Sequence, residues 1–211
     1  MKIIKNKVLV LAPHTDDGEL GCGGTISKFR EEGKDVYYAA FSTAKESLPH
    51  GMPDNTLELE VREATKRLGI PEDHLIIKPY TVRKLNYERQ NVLEDMVQMK
   101  KELQPDLVFM PSPNDLHQDH NTVAMECMRA FKEISILAYE LPWNNINFNT
   151  QAFVKLEKKH IDKKVYALEA YESQLKRSYL NREFIFSWAM TRGVQIKTNY
   201  AETFEVIRWI I

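Results

Sequence analysis

As far as Pro142, short β-rich runs alternate with helical stretches, and the gaps between them are short enough to demand βαβ units. Residues 7–12 (KVLVLA) read as a β-rich first strand, continuously apolar from Val8, 24–32 read as a helix that opens after a glycine pair and ends at Gly33, and 36–41 read as a second strand. A polar loop, STAKESLPHGMPDNT, leads into a helix over about 57–68 closed by Gly69. A strand at 74–78 follows, then a helix at 86–103 with Val92, Met96, Met99 and Leu103 at helical spacing. A strand at 106–110, a helix at about 121–131 and a strand at 134–141 complete the series. The pattern predicts an α/β fold: a mostly parallel, doubly wound sheet with helices on both faces.

After Pro142 the rhythm changes to WNNINFNTQAFVKLEKKHIDKK, two helices and an apolar end, TFEVIRWII. No low-complexity linker separates this part, so it is expected to be a C-terminal cap and edge of the same domain, with 1–211 forming one unit. FEVIRWII is apolar enough for an interior strand or a subunit contact, the one hint of a homo-oligomer.

Composition narrows the partners. The formal net charge is -1 and no basic stripe is interleaved with aromatics, which argues against nucleic acid. Cys22 and Cys127 lie far apart and outside any CxxC pair, so neither a disulfide framework nor a zinc ribbon is expected, and a reducing cytoplasm is the natural location. MKIIKNKVLVLAP reads as a first strand rather than a signal peptide, and no apolar run reaches the ~18 residues of a membrane span.

Parallel sheets bind ligands at the carboxyl ends of their strands. Of six histidines, His14, His117 and His120 fall immediately after predicted strands, in the patterns His-x-Asp-Asp and His-x-Asp-His. Catalytic zinc takes three protein ligands from His and carboxylate and keeps a fourth position open. His14 and Asp17, on one tight turn, supply two such ligands and His120 the third. Asp16 is then a spare carboxylate beside a ligand, placed to take a proton from the attacking water. His117 is expected to steady the developing oxyanion as an imidazolium, and Asp119 to fix the tautomer of an imidazole. The glycine turn GCGGTI lacks the GxGxxG spacing of a dinucleotide site and is expected to allow close helix packing. No GxSxG elbow is present.

PHTDDGELGCGGTI resembles the AHPDDE signature and following GxGGT-type turn of the PIG-L/LmbE-like zinc-dependent de-N-acetylases, and HQDH resembles their HPDH motif. REATKRLGI, KVYALEAYESQL and TRGVQIKTNYAETF are similar to family segments in order and spacing, so the resemblance covers nearly the whole chain. It implies a Rossmann-like fold and hydrolysis of an N-acyl group, usually N-acetyl, from an amino sugar or sugar conjugate. It also implies Zn2+ on His14, Asp17 and His120, Asp16 as general base and His117 at the tetrahedral intermediate, the same assignment that spacing suggests.

Three departures are visible: Thr15 stands where proline is usual, Gly18 replaces the glutamate that ends AHPDDE, and Gln118 replaces the proline of HPDH. A fourth lies in the second helix, where the family carries a substrate-contacting arginine three residues before a glutamate. That glutamate matches Glu60, the arginine position is Leu57, and Arg62 is near but does not match. The rival readings are an N-deformylase or phosphate-ester hydrolase on the same metal, a non-haem enzyme holding Fe2+ or another divalent ion on the same ligands, and a non-catalytic sugar-binding module.

Overall fold

The computed structural model describes residues 6–211. Five parallel strands form the expected core: β1 (Lys7–Ala12), β2 (Asp35–Ala40), β3 (Leu75–Ile77), β4 (Leu107–Pro111) and β5 (Ser135–Tyr139). Two more strands, β6 (Ala152–Leu156) and β7 (Tyr200–Arg208), extend the sheet, whose order is β3-β2-β1-β4-β5-β7-β6. β1 pairs in parallel with β2 from Lys7↔Asp35 to Ala12↔Ala40 and with β4 through Val8↔Leu107. β7 runs antiparallel to both neighbours.

The continuous apolar run of β1 follows from burial on both faces. Val8, Val10 and Ala12 point into a core shared with α1 (Asp17–Glu31), α2 (Thr56–Leu68), α5 (Lys158–Leu168) and α6 (Arg182–Val194). Leu9 and Leu11 point into the core shared with α3 (Arg89–Leu103) and α4 (Gln118–Ala130). The doubly wound prediction therefore holds.

The C-terminal third completes the sheet. FEVIR is an interior strand of the sheet, and β6, half-exposed along most of its length, was masked by its polar company. The first helix also starts earlier than expected, at Asp17, and runs through the glycines with a kink at Cys22 (φ -144°, ψ 24°). The glycines serve close approach: a Cβ on Gly21 would lie 2.3 Å from the Tyr139 ring, and one on Gly24 would lie 2.7 Å from Leu156.

Beyond the kink, the N–H groups of Gly24 and Thr25 donate to the Glu202 carboxylate at 2.9 and 2.6 Å. Glu202 is buried and pairs with buried Lys164 at 2.7 Å. A carboxylate of β7 thus occupies the place where a phosphate would bind a glycine turn. Removing one member of a buried pair leaves the other charge uncompensated. Lys164→Met is expected to cost about 3–5 kcal/mol, read as a lower urea midpoint with an unchanged m-value.

Candidate active site

The strand order reverses between β1 and β4, which opens a crevice at their carboxyl ends. The β1–α1 turn and the first residue of α1 bring His14, Asp16 and Asp17 to this crevice, and the β4–α4 loop and first turn of α4 bring Asp115, His117, Asp119 and His120.

Asp17 closes its own turn by accepting the His14 backbone N–H on Oδ2 at 2.8 Å. The same oxygen lies 3.1 Å from His14 Nδ1 and 3.2 Å from His120 Nε2, and the two ring nitrogens are 3.2 Å apart. Donors bound tetrahedrally to zinc at about 2.0–2.1 Å sit about 3.3 Å from one another, so this triangle fits such an ion closely. The far nitrogens of the two rings are held by carboxylates: His14 Nε2 by Asp119 at 3.0 Å and His120 Nδ1 by Asp115 at 2.8 Å. These contacts aim the near nitrogens at Asp17, as outer carboxylates do around metal ligands.

His14, His117 and His120 also form a group whose ring nitrogens lie within 4.8 Å of one another. His117 is the looser member of that group. Its Nδ1 accepts the Asp119 backbone N–H at 3.2 Å, capping α4, which leaves the proton on Nε2.

The electrostatics favour a cation at the centre. Burial opposes charge on His14 and His120, yet Asp17 with Asp119, and Asp17 with Asp115, outweigh it; the His14 ring is raised and that of His120 is pushed up to about 10. Burial also opposes the charge of Asp17, and the two rings reverse this, holding its carboxyl well below the usual range. His117 differs from expectation. Burial and the neighbouring rings push it down to about 4, so it is a neutral N–H donor at pH 7 rather than an imidazolium.

Asp16 lies beside the triangle without joining it. Its carboxyl is pushed up to about 6 by burial and by the Asp17 charge, against the opposing pull of Arg177. It lines a cavity of about 230 Å3 together with His14, Asp17, His117 and His120. The lining also includes Leu57, Trp143, Asn144, Gln174, Arg177 and Tyr179.

Asp115 was missed in the sequence. It accepts the His117 backbone N–H at 2.8 Å as well as bonding His120. The only signal was its place in the loop NDLHQDH. Among the aromatic and acidic residues at the end of β5 and just after it, Trp143 reaches the cavity. Tyr139 is fully buried with its hydroxyl on Leu11 O at 3.0 Å, and Glu140 is bound to Arg192 and Trp188.

The PIG-L family model, described as GlcNAc-PI de-N-acetylase, matches residues 9–131. The chain is 30% identical over 171 residues to the uncharacterized deacetylase YaiS of Escherichia coli (strain K12), a match covering 79% of this chain and 90% of that one. It is 33% identical over 123 residues to the diacetylchitobiose deacetylase of Thermococcus kodakarensis, covering 54% of this chain and 45% of that protein. Among solved structures, the conserved protein TT1542 from Thermus thermophilus superposes with a TM-score of 0.82 at 26% identity, over 99% of this chain and 97% of that one. The chain belongs to the PIG-L family of de-N-acetylases, which are amide hydrolases.

The departures from the AHPDDE signature are explained by one cluster. Gly18 has no room for a side chain, because a Cβ there would lie 2.5–2.8 Å from the Tyr38 phenol. Tyr38 takes that space, accepts the Gly18 N–H at 3.0 Å and bonds Glu19. The hydroxyls of Tyr38 and Tyr171 both donate to Thr15 O, at 2.8 and 2.7 Å, so hydrogen bonds tie the turn that lacks a proline. Each phenol has one proton to share between Thr15 O and the Glu19 carboxyl. Burial pushes that carboxyl up to about 8. Gly18→Ala is expected to cost about 1–3 kcal/mol by overpacking. The penalty should shrink in a Tyr38→Leu background, as a double-mutant cycle of urea unfolding would show.

Proposed function

We propose that the chain removes the N-acetyl group of an amino sugar or sugar conjugate, using a divalent metal, zinc, held by His14, Asp17 and His120. The observation that carries this reading is the triangle of donors 3.1–3.2 Å apart with a fourth, unligated carboxylate beside it. Two imidazoles and one carboxylate with an open side make up the donor set of catalytic zinc. The diacetylchitobiose deacetylase among the relatives supports the substrate class.

A bound divalent ion supplies Lewis acidity to the amide carbonyl and to the attacking water. Asp16 does the proton work: it takes a proton from the water as the C–O bond forms and returns it to the nitrogen as the C–N bond breaks, releasing acetate and the free amine. A carboxyl raised towards neutrality suits both directions of that transfer. His117 Nε2–H donates to the carbonyl oxygen as it takes on negative charge, with its orientation set through Nδ1 by the Asp119 N–H. Asp115 and Asp119 hold the ligand rings and touch no substrate. The two buried free thiols, Cys22 and Cys127, fit a reducing compartment, the cytoplasm.

Asp16→Asn is expected to lower kcat for acetate release by roughly 10²–10⁴ while metal content, measured by elemental analysis, stays unchanged. Full activity in that variant with metal bound would overturn the base assignment. Chelation should abolish activity and zinc should restore it. Because His14 and His120 must lose their protons to become ligands, zinc binding should release protons at pH 7 and weaken as pH falls. Calorimetry in buffers of different ionisation enthalpy reads both effects.

A further inference from the structure

The lining of the cavity carries one Lys or Arg side chain, Arg177. Among the described residues it forms no ion pair. Its one side-chain hydrogen bond runs from a terminal guanidinium nitrogen to the Tyr179 hydroxyl at 2.5 Å. The guanidinium has five N–H donors, so most of them remain directed to solvent and cavity.

Tyr179 in turn is locked. Its ring stacks face to face on Trp143, with centroids 4.0 Å apart and planes 7° from parallel, and Trp143 is braced by Phe184 and Trp188. The hydrogen bond to Tyr179 therefore fixes a solvent-facing arginine at the mouth of the site. Such fixation lowers the entropy that an arginine loses on gripping a ligand.

The cavity volume of about 230 Å3 falls below the ~300–1,000 Å3 of sites that enclose larger ligands. A single sugar ring with its acyl group at the triangle fills it. Whatever the sugar carries must then pass over the rim at Arg177. Inside, Asp16 and Asp17 make the floor acidic, so an anionic substituent is repelled from the floor and attracted to the rim. On the α2 side the wall is apolar: Leu57 is buried there, and Arg62 is turned away into an ion pair with Glu58 at 2.8 Å.

We propose that Arg177, held by Tyr179, is the specificity determinant for an acylated amino sugar bearing an anionic substituent, a phosphate or a carboxylate. The inference rests on the deacetylase reading and names the substrate class of that same site. The planar fork of arginine pairs bidentately with either anion, which a lysine cannot match.

Binding tests this without turnover. In an Asp16→Asn background loaded with zinc, calorimetry compares N-acetylglucosamine, N-acetylglucosamine 1-phosphate and N-acetylmuramic acid, which supply no anion, a phosphate and a carboxylate. At least one anionic sugar should bind about tenfold or more tightly than the neutral one. Adding Arg177→Gln should erase that advantage and leave the neutral sugar's affinity unchanged, and Arg177→Lys should restore only part of it. The background removes the Asp16 charge, so an effect routed through that carboxylate would not appear. An anionic advantage that survives Arg177→Gln, equal losses for neutral and anionic sugars, or no advantage at all would each overturn the proposal. Acetate release by the wild-type enzyme is read separately. Its absence, with the binding pattern intact, counts against the deacetylase reading alone, whereas acetate released equally from neutral and anionic sugars, with no Arg177 dependence for either, counts against the anion site alone.

Discussion

The Asp17 carboxylate sets the architecture of the site. One of its oxygens accepts the backbone N–H of His14, which fixes the turn at the end of β1, and faces the near nitrogens of both His14 and His120. A single atom thereby joins two loops that are about a hundred residues apart in the chain and adjacent only because β1 and β4 are neighbours in the sheet. A buried carboxylate in that position is costly unless positive charge meets it. The site answers with two imidazoles, each backed by a further carboxylate, Asp119 behind His14 and Asp115 behind His120. Three acids around two rings leave an excess of negative charge when the rings are neutral. A divalent cation would offset two of those three charges.

That surplus also separates the two aspartates of the HTDD motif. Asp17 is pinned among imidazoles and stays ionised, while Asp16 feels burial and the charge of its neighbour and is drawn towards neutrality. Two adjacent residues of the same type receive opposite shifts because one faces cations and the other faces an anion. Divergent environments of this kind are how one site assigns binding and proton transfer to chemically identical groups.

Legibility in the sequence follows the range of the interaction. β1, the His14 turn and the His117–His120 loop were readable because their signals are local: a continuous apolar run, then ligand types packed within a few residues. Asp119's contact with a histidine ring was readable for the same reason. Asp115 escaped because an isolated acid in a polar loop has no periodicity to mark it. β7 was legible only as an apolar run whose partner was unknown, and β6 was hidden by its half-exposed edge position. The neutral state of His117 depends on burial and on two other rings brought in by folding, which no spacing rule reports. Arg177 and Tyr179 sit in an irregular segment where neither helix nor strand pattern directs attention.

The departures from the family signature also acquire a common cause. Taken singly, a missing proline at Thr15 loosens a turn and a missing glutamate at Gly18 removes a side chain. In the fold the second change admits Tyr38, and Tyr38 repairs the first, because its hydroxyl reaches both the Gly18 N–H and the Thr15 carbonyl. Tyr171 supplies a second donor to the same carbonyl and shares Glu19 with Tyr38. The turn that carries both aspartates is thus tied from beneath by side chains of β2 and of the segment after α5, where a proline would have stiffened it from within. Such a turn holds Asp16 and Asp17 in place as firmly as the phenol network is packed, and that network is buried throughout.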